Sequence, residues 1–131
     1  MKRKQLDPIH PGEVLEEEFM LPLGLSANAL AKAIDVPVTR VSEIVRGRRG
    51  VSADTALRLS RYFGTTPDLW LGLQSEYDLR VASRELGESI RARIIPFDHA
   101  PVLEVRETAA AYGEKLRSDR DRRRRRSIHQ R

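Results

Sequence analysis

The sequence predicts an all-α fold: a five-helix domain over residues 1–87 followed by a C-terminal extension. Three observations carry this. Apolar residues up to Gly87 recur at helical rather than strand spacing. The segments between them are short and punctuated by Pro, Gly and capping Ser or Thr. A 131-residue chain with 40% hydrophobic residues also has enough apolar mass for one modest core and not for two.

Pro11 and Gly12 open a first helix that runs to about Met20, with Val14, Leu15 and Phe19 as its apolar stripe and Glu16, Glu17 and Glu18 on its wet face. Pro22 and Gly24 end it. Ser26 is a suitable N-cap for a second helix carrying Leu30, Ala31 and Ile34, and after Asp35-Val36-Pro37 a third helix spans about Val38 to Val45. Ser52 caps a fourth, with Ala56, Leu57, Leu59 and Phe63 expected inward and Gly64 as its left-handed stop. Thr66 and Pro67 start a fifth, on which Leu69, Trp70, Leu73 and Tyr77 continue at helical spacing toward Leu86, with Gly87 as the expected end.

The pattern then changes. Residues 88–119 read as an extension in which Ile90-Arg-Ala-Arg-Ile alternates with period two, predicting a short strand over 89–95 that Pro96 stops. A continuous helix from 66 past Gly87 is the competing reading. An isolated strand needs an edge to pair with, either its copy in a second subunit or a partner's sheet. Val105, Ala109, Tyr112 and Leu116 then mark a helix from about Val102 to Arg117. Residues 120–131 are an Arg-rich block without apolar partners, expected to be disordered.

Charge follows the same division. Residues 1–87 hold 12 basic and 12 acidic side chains, so the formal net charge of +5 belongs entirely to the remainder. With no Cys and only His10, His99 and His129, the chain offers no disulfide, no thiolate site and no His pair at helical spacing. It has no Gly-rich phosphate loop and no convincing carboxylate pair, so an enzyme, a metal site and a cofactor are all unexpected. The absence of an apolar run near 18 residues, or of a signal-peptide core after Met1-Lys2-Arg3-Lys4, predicts a soluble cytoplasmic protein with no membrane partner.

The segment Ser26–Gly47 is the most informative. Two short helices joined by a tight turn bring small Ala31 near the crossing and present the second helix outward. Val41, Ile44 and Val45 point inward, leaving Pro37, Val38, Thr39, Arg40, Ser42, Glu43 and Arg46 nearer the open side, on a cylinder that fits the DNA major groove. Here the chain resembles the Xre-type (lambda-repressor-like) helix–turn–helix regulators and, more narrowly, the HigA/VapI family of type II antitoxins. The likeness is carried by His10-Pro11-Gly12-Glu13-Val14-Leu15, Leu30-Ala31, Val36, Ser42, Arg46-Gly47-Arg48-Arg49-Gly50, Ala56-Leu57-Arg58-Leu59 and Pro67-Asp68-Leu69-Trp70-Leu71-Gly72-Leu73-Gln74. It covers about residues 8–82. Asp35 departs from it, standing where Gly is usual, and so does the long tail.

The resemblance implies an antitoxin that binds and neutralises a HigB/RelE-like ribonuclease toxin and represses its own operon as a homodimer on operator double-stranded DNA. Val38, Thr39, Arg40 and Glu43 would read bases; Ser26, Ala27 and Asn28 would approach the backbone; Arg46, Arg48 and Arg49 would lie by phosphates. The chemistry of these side chains agrees: Arg suits guanine, Thr a thymine methyl and Glu the cytosine amine. The bland reading of the four arginines is a solvated basic face, against which stands their clustering within ten residues of a neutral domain. For Trp70, Leu73 and Tyr77 the expectation is core or dimer seam, for Gln74 a tie to backbone, for His10 capping or packing, and for Glu16–Glu18 a solvated face that a basic toxin could meet. A stand-alone Xre regulator without a toxin is the alternative function, and a nucleic-acid chaperone driven by the tail is a third. The Arg block itself reads as a phosphate-contacting arm, an RNA or toxin-shielding segment, or an inert end.

Overall fold

The structure, a computed structural model, describes residues 7–98 and 109–128, which fall into two units, Met1–Ile94 and Ile95–Arg131. All regular structure among the described residues is helical. The first helix, α1, opens as Pro11–Val14, widens to a π-helical stretch at Leu15–Met20 and closes as Leu21–Leu23. It therefore outruns its expected end by one turn, carrying Pro22 within that turn, and stops at Gly24, left-handed at φ 64°.

Helices α2 (Ala27–Ile34), α3 (Val38–Val45), α4 (Ala53–Phe63) and α5 (Pro67–Arg93) follow. Ser26, Ser52 and Thr66 cap α2, α4 and α5 by accepting from Ala29, Thr55 and Leu69 N–H groups. Between α2 and α3, Asp35 sits left-handed at φ 56°, and the Val36 and Asp35 N–H groups close back on the carbonyls of Ala31 and Lys32 at 3.0 and 3.3 Å. This is the reversal that a glycine would make without strain.

One core unites the five helices: Leu15, Leu30, Ala31, Ile34, Val41, Ile44, Ala56 and Leu59 gather around Trp70, which is fully buried. The indole donates to Thr65 Oγ1 at 2.9 Å and meets Phe19, which in turn stacks on Phe63. Leu57 is the exception to the expected inward face of α4. It is 61% exposed, because Ala56, Leu59 and Phe63 already define the buried stripe and Leu57 lies about 100° from Ala56 around the helix.

The C-terminal expectations are corrected. No strand forms over 89–95: α5 continues through Gly87 to Arg93, and Ile94 N–H bonds the Ile90 carbonyl at 2.8 Å in helical register. A lone strand has no edge to satisfy its backbone, whereas a helix satisfies its own. Gly87 costs only about 1 kcal/mol in a helix interior, too little to stop one already 20 residues long. The first compact unit runs to Ile94. In the second unit α6 spans Ala109–Ile128. The Arg block expected to be disordered is helical as far as Ile128, consistent with arginine's high helix propensity and the alanines that begin the helix. The portion of the expected helix before Ala109 lies outside the described residues.

Candidate nucleic-acid interface

Helix α3 is held from beneath by Val41 and Ile44, both 1% exposed, and from behind by α2. Its lower end rests on the start of α1. Gly12 is packed so closely there that a Cβ would stand 1.8 Å from the Ile44 carbonyl oxygen. The His10 side chain accepts from the Gly12 N–H at 2.9 Å through Nδ1, and its ring meets Tyr77 edge-on at 4.8 Å. Burial lowers the His10 pKa below its ordinary 6.5, against smaller raising effects of Asp78 and Glu13, which suits an unprotonated accepting nitrogen. The His-Pro-Gly-Glu motif is therefore a seat for α3.

Val38 and Thr39 are exposed at the first turn of α3, and Pro37 before them supplies no side-chain cap, so the leading N–H groups point outward. Arg40 follows on the same side, and its Nη1 donates to Asp54 Oδ2 at 3.0 Å. The other Asp54 oxygen accepts from Arg58 Nε at 2.7 Å, and Arg58 Nη1 also donates to the Ile34 and Asp35 carbonyls at the end of α2. The hydrogen bond from Arg58, with the attraction of Arg58 and Arg40 added, holds the Asp54 carboxyl below the usual carboxylate range. A chain of contacts thus runs from the α2 terminus through Arg58 and Asp54 to Arg40.

Glu43 is paired as well, accepting from Arg49 Nε at 2.7 Å. Arg46 and Arg48 are exposed just beyond α3. Across the turn, Ser26 and Asn28 are exposed at the start of α2, while Ala27 is half-buried against the core, so that its backbone is what faces outward. Gln74 ties α5 to the loop after α3: Oε1 accepts from Val51 N–H at 2.8 Å and Nε2 donates to Asp78 at 2.9 Å. Of these groups, sequence reasoning missed Asp54 and Arg58. Their i, i+4 spacing on α4 was the available signal.

The geometry is that of a helix–turn–helix, and a helix-turn-helix family model matches residues 17–70. Virulence-associated protein I of Dichelobacter nodosus is 53% identical over 83 residues, covering 63% of this chain and 77% of that protein. The chain belongs to the HigA/VapI family. Antitoxin HigA-1 of Vibrio cholerae is 38% identical over 80 residues, 60% of this chain and 74% of its own length. The Pseudomonas aeruginosa antitoxin HigA, solved with the higBA promoter, superposes with a TM-score of 0.67 at 48% identity, covering 69% of this chain and 98% of that one. Members of this HigA/VapI group are helix–turn–helix antitoxins and transcriptional regulators, not enzymes. No helix among the described residues is long and apolar enough to cross a membrane.

Proposed function

We propose that this chain is an antitoxin that binds and neutralises a HigB/RelE-like ribonuclease toxin and represses its own operon by binding operator DNA as a homodimer. The observation that carries the reading is the row of exposed Val38 and Thr39 and half-buried, ion-paired Arg40 and Glu43 along a helix seated on the core, flanked by Arg46, Arg48 and Arg49, in a chain 48% identical to an antitoxin solved with its promoter. In this reading Arg40 reads a base pair, Glu43 accepts from a cytosine amine, and Ser26, Asn28 and the Ala27 backbone approach phosphates. For the homodimer, α5 supplies a surface: Leu79, Leu86 and Ile90 are 66%, 52% and 48% exposed and lie within about 40° of one another around the helix. Two subunits then place their α3 helices in half-sites about 34 Å apart, or a multiple of that.

The test has two arms. Arg40→Ala should weaken binding to the chain's own promoter and relax discrimination at one base step, with about 1–3 kcal/mol lost there. Equal loss on promoter and random DNA would remove Arg40 from base reading. Co-expression with the protein of the adjacent reading frame should restore growth and yield a co-purifying complex. Persistent toxicity with no complex would leave the stand-alone regulator in place of the antitoxin.

A further inference from the structure

Helix α6 belongs to the second unit and carries none of the residues proposed to read bases. From Lys115 to Ser127 it carries eight cations (Lys115, Arg117, Arg120 and Arg122–Arg126) against Asp119 and Asp121, and its single apolar side chain is Leu116. Every residue from Glu114 to Ile128 is exposed. At about 100° per residue the cations surround the helix axis on all sides. Such a helix has no face to bury against a protein core, and none to sink into a membrane interface, which requires a continuous apolar side. None of the ion pairs found among the described residues uses an α6 side chain. Arg122 and Arg126 repel one another at i, i+4, a strain that a polyanion relieves.

Shape narrows the polyanion. From Lys115 to Arg126 the helix is about 16 Å long at 1.5 Å per residue, a stretch along which duplex DNA presents roughly ten phosphates. Its diameter of about 10–12 Å matches the major groove of B-DNA, whereas the deep, narrow major groove of A-form RNA does not admit side chains. We propose that α6 is a second, sequence-independent DNA-binding element, which clasps the phosphate backbone while α3 reads the operator. The proposal rests on the operator-binding reading for its biological setting, but its physical content is separate.

The experiment uses the full chain and a variant with Arg122–Arg126 all changed to Gln, which keeps helix propensity, with Arg122–Arg126 all changed to Lys as a charge-preserving control. Affinity is measured by fluorescence anisotropy for the chain's promoter DNA duplex, a shuffled DNA duplex and a double-stranded RNA of equal length, from about 50 to 200 mM salt. The Gln variant should flatten the slope of log affinity against log salt by up to about 4–5 on both duplexes, so that the parent loses about 10²–10³-fold more affinity across that range. The ratio between promoter and shuffled duplex should stay unchanged, and the Lys variant should behave as the parent. An unchanged slope on both duplexes overturns the proposal, and so does a loss confined to the RNA. If the parent fails to distinguish promoter from shuffled duplex, the operator reading fails instead, while the slope difference still decides the role of α6.

Discussion

Gly12→Ala is the sharpest test of how the reading helix is seated. The added Cβ would stand 1.8 Å from the Ile44 carbonyl oxygen and 2.7 Å from its carbon, both backbone atoms of α3. Restoring an ordinary contact means moving the start of α1 and the end of α3 apart by more than 1 Å, and close-packed interiors do not absorb such a shift freely. The same displacement stretches the Gly12 N–H bond to His10, now 2.9 Å. Overpacking of flexible side chains costs about 1–3 kcal/mol, and with backbone on both sides the top of that range, about 3 kcal/mol, is expected. For a domain of this size that is a fall of about 12–24 °C in melting temperature. Thermal unfolding of the full chain by circular dichroism at 222 nm measures it. Gly72→Ala is the control: it sits within α5 with no atom within 4 Å of the new Cβ, and should gain up to about 1 kcal/mol of helix propensity. A Gly12→Ala protein that melts within a few degrees of the parent would refute the close seating of α1 on α3.

Other perturbations address the caps and the ion-pair chain. His10 stays unprotonated in the folded chain below the 6.5 at which the unfolded chain takes up its proton, so stability should fall as pH drops through 6.5 toward the lowered folded value and level off beneath it; His10→Asn keeps a capping acceptor and should remove that part of the pH dependence of the melting temperature. Asp35→Gly relieves a left-handed non-glycine residue, offset by the greater freedom of the unfolded chain, for a net gain of up to about 1 kcal/mol read as a higher urea midpoint at constant slope. Asp54→Asn should leave the melting temperature nearly unchanged, because an exposed ion pair contributes little, yet relax discrimination at the base step read by Arg40; a uniform change across a panel of single-base operator variants would deny Asp54 a positioning role.

What was legible in the sequence was local. Ser26, Ser52 and Thr66 act through hydrogen bonds three residues long, and Ala31, Leu59 and Trp70 declare themselves by periodicity, so the helix order to Tyr77 could be read directly. The end of α5 could not. Leu86, Ile90 and Ile94 are spaced four apart, while Ile90, Ala92 and Ile94 alternate, so the same residues satisfy both periods, and only the lack of a pairing edge decides for helix. The contact between Gly12 and Ile44 joins residues 32 apart, and the one between Arg40 and Asp54 joins residues 14 apart; no pattern along the chain announces either.

The ion pairs also bear on how residues 1–87, whose net charge is zero, would present the face proposed to meet DNA. Arg40 is matched by Asp54 and Arg49 by Glu43, so two of the four clustered arginines are neutralised within the protein. These pairs are exposed, and an exposed pair gives up its partner readily because water and salt already screen it. In the proposed reading, phosphates and base edges would replace these carboxylates at little cost, while in the free chain the carboxylates fix where the guanidinium groups stand. The two pairs differ in how they respond to DNA. Asp54 lies on α4 and is itself held by Arg58, so it would keep its place if Arg40 turned to a base. Glu43 lies on α3 itself, so freeing it to accept from a cytosine amine, as proposed, would release Arg49 in the same movement. If Glu43 reads a base and Arg49 meets a phosphate as proposed, the two contacts are coupled through this pair, and a double-mutant cycle over the two positions should return a non-zero interaction term on the cognate operator and none on random duplex.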